Sequence, residues 1–228
     1  MNDQEIGASI PLIKRLPLYL RLLDDYRREG METVSSTRIA EDLKLEPIQV
    51  RKDLAATGII GKPGVGFPME TLIQSIKGFL GWDNATEAFL VGTGNLGTAL
   101  MGYEGFERFG LRIIAGFDVD PDKIGTKVHG KSVLPLAKLG NLARRMHIHI
   151  GVLAVPAAAA QDCAELMAES GILAIWNFTP VTISVPEGLI VENVDLASSL
   201  AVLSRKLFLG LRSRNGSTEG KRQQEENG

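Results

Sequence analysis

The chain has 228 residues, enough for one large domain or two small ones with a real core. A hydrophobic share of 44%, a charged share of 23% and a formal net charge of -2 describe an ordinary soluble protein with no global pull toward nucleic acid or membrane, so any such partner is read by a local surface. The single cysteine, Cys163, excludes an internal disulfide framework and a cysteine-rich zinc site.

The first residues, Met1 to Glu5, are acidic and lack the basic-then-apolar order of a secretory signal. The longest apolar run, 150–160, is too short for a bilayer and contains Pro156. Together these predict a cytoplasmic protein. From Ile10 to about Leu80 the pattern is helical and broken by short turns. Residues 11–29 carry Ile13, Leu16, Leu20 and Leu23 at helical spacing, with Pro11 in a first turn, Gly30 past the end and Pro17 as a kink or restart. "SSTRIAEDLKL", 35–45, follows with a serine cap, and "PIQVRKDLAATG", 47–58, starts on a proline and stops on a glycine. Two short helices across a tight turn make a helix-turn-helix. On the second of them Val50 and Leu54 share the face that seats it on the core. The opposite face shows Ile48, Gln49, Lys52 and Ala56, flanked by Arg51, and small and basic residues there suit close approach to a DNA groove. "GKPGVGF", 61–67, then offers a glycine-rich wing bearing Lys62. The plainer reading of this region is a helical dimerisation domain with a solvated charged face.

The pattern changes near "GWDNAT", 81–86, which marks a domain boundary. Beyond it short apolar runs alternate with helix-length segments: "EAFLVG", "LRIIAGFDVD", "HIGVLAV", "ILAIWNF" and "GLIVENVD". That alternation predicts a parallel sheet covered by helices. In "VGTGNLGTAL", 91–100, Gly92, Gly94 and Gly97 match G-x-G-x-x-G between a strand and a helix, with Asp118 about 20 residues further on. Each part has a job: Gly92 for the tight turn, Gly94 for approach of a pyrophosphate to the backbone, Gly97 for packing of helix on strand. Thr93, Asn95 and Leu96 complete the loop and the N-terminus of its helix. Asp118 is expected to accept from ribose hydroxyls and to repel a 2'-phosphate, favouring NAD over NADP. Asp120 competes for that role, and Asp118 is preferred because it follows the strand directly. A tight turn without ligand is the competing reading of the loop. Pro156 and Thr179-Pro180 fall at the carboxyl ends of later strands, where open α/β sheets bind ligands.

After Asp195, Leu196, Leu200, Leu203 and Leu207 form one more helical stripe, which needs a partner surface. The polar stretch from 213 onward reads as a disordered tail. Groups for catalysis are scarce. His147 and His149 alternate as an outward-facing pair, His129 lies in a glycine-flanked turn, and Cys163 falls inside a helical stretch as a small core residue. With little room for a substrate domain, the cofactor itself is the expected ligand, and the chain is expected not to be an enzyme. The rival reading is an enzyme that uses the α/β domain for NAD or coenzyme A, with the N-terminal helices as a dimerisation unit.

The motifs "QVRKDLA", "GKPGVGF", "VGTGNLGTAL", "FDVDPDKIG", "NFTPV" and "VENVDLA", in this order between Ile10 and Gly210, resemble the Rex family of redox-sensing transcriptional repressors. The resemblance implies an α/β chain with a winged helix-turn-helix domain at 1–80, a Rossmann-like NAD(H)-binding domain at 84–194, a dimerisation helix at 195–211 and a tail at 212–228. It implies a homodimer that binds operator DNA when NADH is scarce and releases it when NADH rises. Ser36, Gln49, Arg51, Lys52 and Lys62 are then the candidate DNA contacts. Gly92, Thr93, Gly94, Asn95, Leu96, Gly97, Asp118, Pro156 and Tyr103 are the candidate cofactor contacts. Arg21, Tyr103 and Asp195 match a switch in which the arginine exchanges partners between the other two. Leu196 stands where some members carry phenylalanine near the nicotinamide.

Overall fold

The computed structural model of the chain describes residues 7–83 and 86–225, with side chains as far as Arg212. Helix α1, Ile10–Arg28, begins at Ser9, whose hydroxyl accepts from Leu12 N, with Pro11 in the first turn. It runs unbroken through Pro17. Buried Leu16, Tyr19, Leu20, Leu23 and Tyr26 on either side of the proline hold the helix by packing, which outweighs the lost backbone hydrogen bond. α2, Ser36–Leu43, and α3, Pro47–Ala56, follow across a turn in which Lys44 adopts a left-handed conformation (φ 54°). The short strands β1, Thr33–Val34, and β2, Phe67–Pro68, pair antiparallel, and between α3 and β2 the wing turns back on itself with Lys62 N donating to Gly66 O at 2.8 Å. α4, Met69–Leu80, closes this region and ends at Gly81 (φ 70°). Leu16, Leu23, Ile39, Val50, Leu54, Leu72 and Ile76 belong to one continuous apolar core.

Beyond it lies a seven-stranded sheet. In chain order its strands are β3 (Thr86–Val91), β4 (Leu111–Asp118), β5 (Lys127–Val128), β6 (Lys131–Pro135), β7 (Ile150–Leu153), β8 (Ala174–Asn177) and β9 (Ile190–Asn193). Their spatial order is β5-β6-β4-β3-β7-β8-β9. With the antiparallel β5–β6 hairpin set aside as an edge, this is the doubly wound Rossmann order, which reverses between β3 and β7. β7, β8 and β9 pair in parallel. The connecting helices are α5 (Asn95–Gly102), α6 (Gly105–Arg108), α7 (Leu139–Met146) and α8 (Ala157–Glu169). α8 lies close on β7 because Gly151 has no Cβ: one placed there would meet Met167 Cε at 3.0 Å.

The final helix, α9, runs Leu196–Glu225, further than the end near 211 that the sequence suggests. The polar stretch it enters lacks proline, and its 221–225 run of Lys, Arg, Gln, Gln and Glu consists of good helix formers. Residues 226–228 lie outside the described residues, as do Asn84 and Ala85 of the expected boundary. By internal contacts the chain divides into two units. One holds residues to 89 with 98–116 and 125–133, and the other holds 90–97, 117–124 and 134 onward.

Candidate cofactor and DNA-binding sites

α3 carries one buried carboxylate on its inward side. Asp53, 3% exposed, accepts from Arg15 Nε at 2.6 Å, Arg15 Nη2 at 2.8 Å, Tyr19 Oη at 2.6 Å and Gln49 Nε2 at 2.7 Å. Burial pushes the Asp53 carboxyl up, but the hydrogen bonds from Arg15, Tyr19 and Gln49 outweigh it and hold the group below the usual carboxylate range. The bonds to Asp53 raise the Arg15 value, and burial together with the Asp53 bond raises that of Tyr19. Arg15 and Tyr19 lie on α1, so the salt bridge ties α3 to the first helix. Neither residue stands out in the sequence, although an arginine beside the apolar face of α1 is the signal that points to them.

With Val50, Asp53 and Leu54 inward, α3 exposes Ile48, Arg51, Lys52, Ala55 and Ala56. Gln49, expected on that outer face, is half-buried, its amide committed to Asp53 as an i,i+4 pair. Ser36, Arg51 and Lys62 come together along a groove of about 590 Å³ beside the wing, which Val65 and Phe67 also line. Lys52 is exposed on α3 and carries no ion pair among the described residues.

The glycine loop leaves β3 at the point where strand order reverses. Gly92 has φ 95°, and a Cβ there would meet the Ala154 carbonyl oxygen at 2.5 Å, so the turn needs glycine both for conformation and for approach to the end of β7. A Cβ on Gly97 would overlap the Gly92 carbonyl, which is why α5 can start so close to the strand. At Gly94 a Cβ would meet nothing within 4 Å. The backbone there faces open space beside the N-terminus of α5, a place with the donors and the room for a phosphate. Leu96 is 42% exposed at the same helix start.

Asp118 lies at the end of β4 and fastens this loop. Its Oδ2 accepts from Thr93 N at 2.9 Å, Thr93 Oγ1 at 2.7 Å and Lys123 Nζ at 3.3 Å, and its Oδ1 from Val119 N at 2.8 Å and Asp120 N at 3.0 Å. Burial raises the carboxyl, but these donors prevail and bring it down to about 2. Asp120, partly exposed, pairs with Lys123 at 3.4 Å. Pro156 is exposed at the N-cap of α8, just after the Ala154 that Gly92 approaches.

At the next strand ends a buried amide network fixes the "NFTPV" loop. Asn177 Nδ2 donates to Asn193 Oδ1 at 2.8 Å and Val181 O at 2.9 Å, while its Oδ1 accepts from Thr179 N at 3.0 Å and Thr179 Oγ1 at 2.7 Å. A cavity of about 500 Å³ opens there, lined by Phe178, Pro180, Val181, Asp195 and Leu196. Asp195 caps α9, its carboxylate accepting from Ser198 N at 2.9 Å and from the Ser198 hydroxyl. Arg21 and Tyr103 line another cavity, of about 830 Å³, with Arg27, Arg28, Lys77 and Arg108.

Two of the three histidines take structural places. His129 packs its imidazole where a Gly102 Cβ would stand, and His147 caps α7 in a left-handed conformation (φ 54°). Cys163 is buried, and burial raises its thiol. Among the described residues no helix is long and apolar enough to cross a membrane.

Residues 83–181 match the family described as "CoA binding domain", and residues 9–55 the family described as "Putative DNA-binding protein N-terminus". Over 203 residues the chain is 46% identical to the redox-sensing transcriptional repressor Rex of Treponema denticola, covering 89% of this chain and 96% of that protein. The chain belongs to the Rex family. The Rex of Porphyromonas gingivalis is 41% identical over 86% of this chain and 90% of its own length. Among solved structures, RSP, a Rex-family repressor, in complex with β-NAD+ and operator DNA superposes with a TM-score of 0.81 at 33% identity, covering 90% of this chain and 97% of that one. RSP in complex with β-NADH gives the same TM-score at 32% identity, with coverage of 91% and 98%. These Rex relatives are named as transcriptional repressors, and this chain too is a regulator, not an enzyme.

Proposed function

We propose that the chain is a redox-sensing transcriptional repressor of the cytoplasm, a homodimer that holds operator DNA while NADH is scarce and is released as the NADH/NAD+ ratio rises. The observation that carries this reading is the open backbone at Gly94, beside a helix N-terminus, in a chain that also presents the exposed cationic face of α3. Gly92, Thr93, Gly94, Asn95, Leu96 and Gly97 hold the pyrophosphate. Asp118 keeps that loop in shape and meets the adenosine ribose, the hydroxyl replacing the Lys123 contact, which is the longest of its five. Pro156 borders the same mouth. NADH serves here as a ligand whose binding energy differs between two states of the protein, since a ligand of equal affinity for both would shift nothing.

On the DNA side, Ser36, Arg51 and Lys62 line one groove and Lys52 projects from α3, while Gln49 acts through Asp53 to support the helix. Arg21 and Tyr103 form the responsive cavity, and Asp195 of a second copy answers to Arg21. The exposed Leu196, Leu200, Leu203 and Leu207 of α9 are the dimer surface, each 61% to 68% exposed. The domain limits are 1–80 and 84–194, with the dimerisation helix starting at 195.

The test is a fluorescence anisotropy titration of labelled operator with the full chain in the presence of NADH, NAD+ or coenzyme A. NADH releases the DNA at the lowest concentration. Gly94→Leu, which has room for its side chain, keeps operator affinity and no longer responds to NADH. Release of this variant at the wild-type NADH concentration would show that the loop is assigned wrongly.

A further inference from the structure

The exposed side of α3 is not uniformly polar. Ile48, at its N-terminal end, is 65% exposed, and Arg51, Lys52, Ala55 and Ala56 follow along the same exposed stripe. The N-terminal core does not use Ile48: Val50 and Leu54 fill the buried side of the helix with no exposure. Scattered apolar residues on a surface are ordinary, but this one has two exposed cations, Arg51 and Lys52, one turn along the same helix, and the wing adds a second apolar residue, Val65, 55% exposed in the groove it shares with Arg51 and Lys62. A bare branched side chain on a cationic helix matches one feature of duplex DNA. There, anionic backbones flank a major groove in which thymine presents an apolar group, its 5-methyl. Ala55 and Ala56 leave the helix slim enough to enter that groove.

We infer that Ile48 is a specificity-determining residue that packs against the 5-methyl group of one thymine in each operator half-site. The inference rests on the repressor reading above. Arg51 and Lys52 supply charge on either side of the contact, and Ile48 supplies sequence discrimination that charge cannot.

An operator is first selected from random duplexes by the full wild-type chain, and its thymines are then replaced one at a time by deoxyuridine, which lacks the methyl group. In the wild type, one position per half-site loses affinity about fourfold, the equivalent of ~0.8 kcal/mol for one buried carbon. With Ile48→Ala that penalty disappears, and with Ile48→Val most of it remains. An unchanged urea unfolding midpoint in both variants reports an intact fold. Equal penalties in the wild type and Ile48→Ala, or no thymine at which the methyl matters, overturn the inference and point to a protein partner for this side chain. A wild-type chain that selects no sequence at all overturns the repressor reading and this inference with it.

Discussion

Asp53 and Asp118 are both buried carboxylates under working surfaces of the chain, 3% and 9% exposed, yet they are held by different kinds of donor. Three of the four bonds to Asp53 come from side chains on α1, up to 38 residues away in sequence. Four of the five bonds to Asp118 come from the glycine loop or from the two backbone amides that follow it, and the fifth from Lys123. The first aspartate braces two helices, whereas the second fastens a loop to its own strand. A surface that must present a rigid helix to DNA gains from the first arrangement. A loop that must admit a ligand gains from the second, because its ties are short and the outermost is replaceable.

The largest expected effect breaks the brace. Asp53→Ala leaves the Arg15 guanidinium facing a hole where its bidentate partner stood, and removing one member of such a pair costs about 3 kcal/mol. Urea unfolding measures it. Operator affinity falls with it, while NADH affinity stays within twofold because no cofactor contact has been touched. A loss below about 1 kcal/mol would mean that packing of Val50 and Leu54, and not the salt bridge, positions α3.

How far each arrangement is legible in the sequence follows the same division. The Asp118 tie lies within the span of a motif, so Gly92, Gly94, Gly97 and Asp118 are readable together from spacing alone. The Asp53 brace is not, because nothing local pairs Arg15 with a residue on another helix. Only the Gln49–Asp53 pair has a local signal, their i,i+4 spacing, and without it Gln49 reads as an outward side chain. Pro17 likewise reads as a break in α1, since the packing that carries the helix through it is tertiary. The exposed face of α3 is legible because Val50 and Leu54 fix which side turns inward. The Asn177–Asn193 amide pair goes unread, as it depends on the register of β8 against β9.

The next effect sharpens the contrast through pH. The Asp118 carboxyl falls from an ordinary 3.8 to about 2 in the folded chain. A carboxyl depressed on folding contributes stability that is present in full above its unfolded value and is lost as pH falls through the folded one. Asp118→Asn, whose amide turns donors toward Thr93, therefore lowers stability by about 2 kcal/mol at pH 7. The difference from wild type stays level down to about pH 5 and narrows as pH drops toward about 2. NADH binding weakens in the variant and operator binding does not. A stability difference that keeps its size down to pH 2 would show that shape at Asp118, and not its charge, holds the loop.

The smallest effect separates the two cations. Arg15 is 23% exposed and grips Asp53 with two nitrogens at 2.6 and 2.8 Å, whereas Lys123 is 39% exposed and reaches Asp118 at 3.3 Å and Asp120 at 3.4 Å. A solvated ammonium shared between two carboxylates gains little from either, since water screens it and its flexible stem is costly to hold still. Lys123→Ala is therefore expected to leave the urea midpoint unchanged, even though it removes one of the five donors to Asp118. NADH affinity is also retained, because the ribose hydroxyl takes the site that Lys123 vacates. Salt tells the two cations apart further: raising ionic strength weakens an exposed pair and leaves a desolvated one nearly untouched, so Arg15→Ala should cost the same at low and high salt. A marked loss of NADH affinity in Lys123→Ala would instead make the lysine a direct contact of the dinucleotide and leave Asp118 with the loop alone.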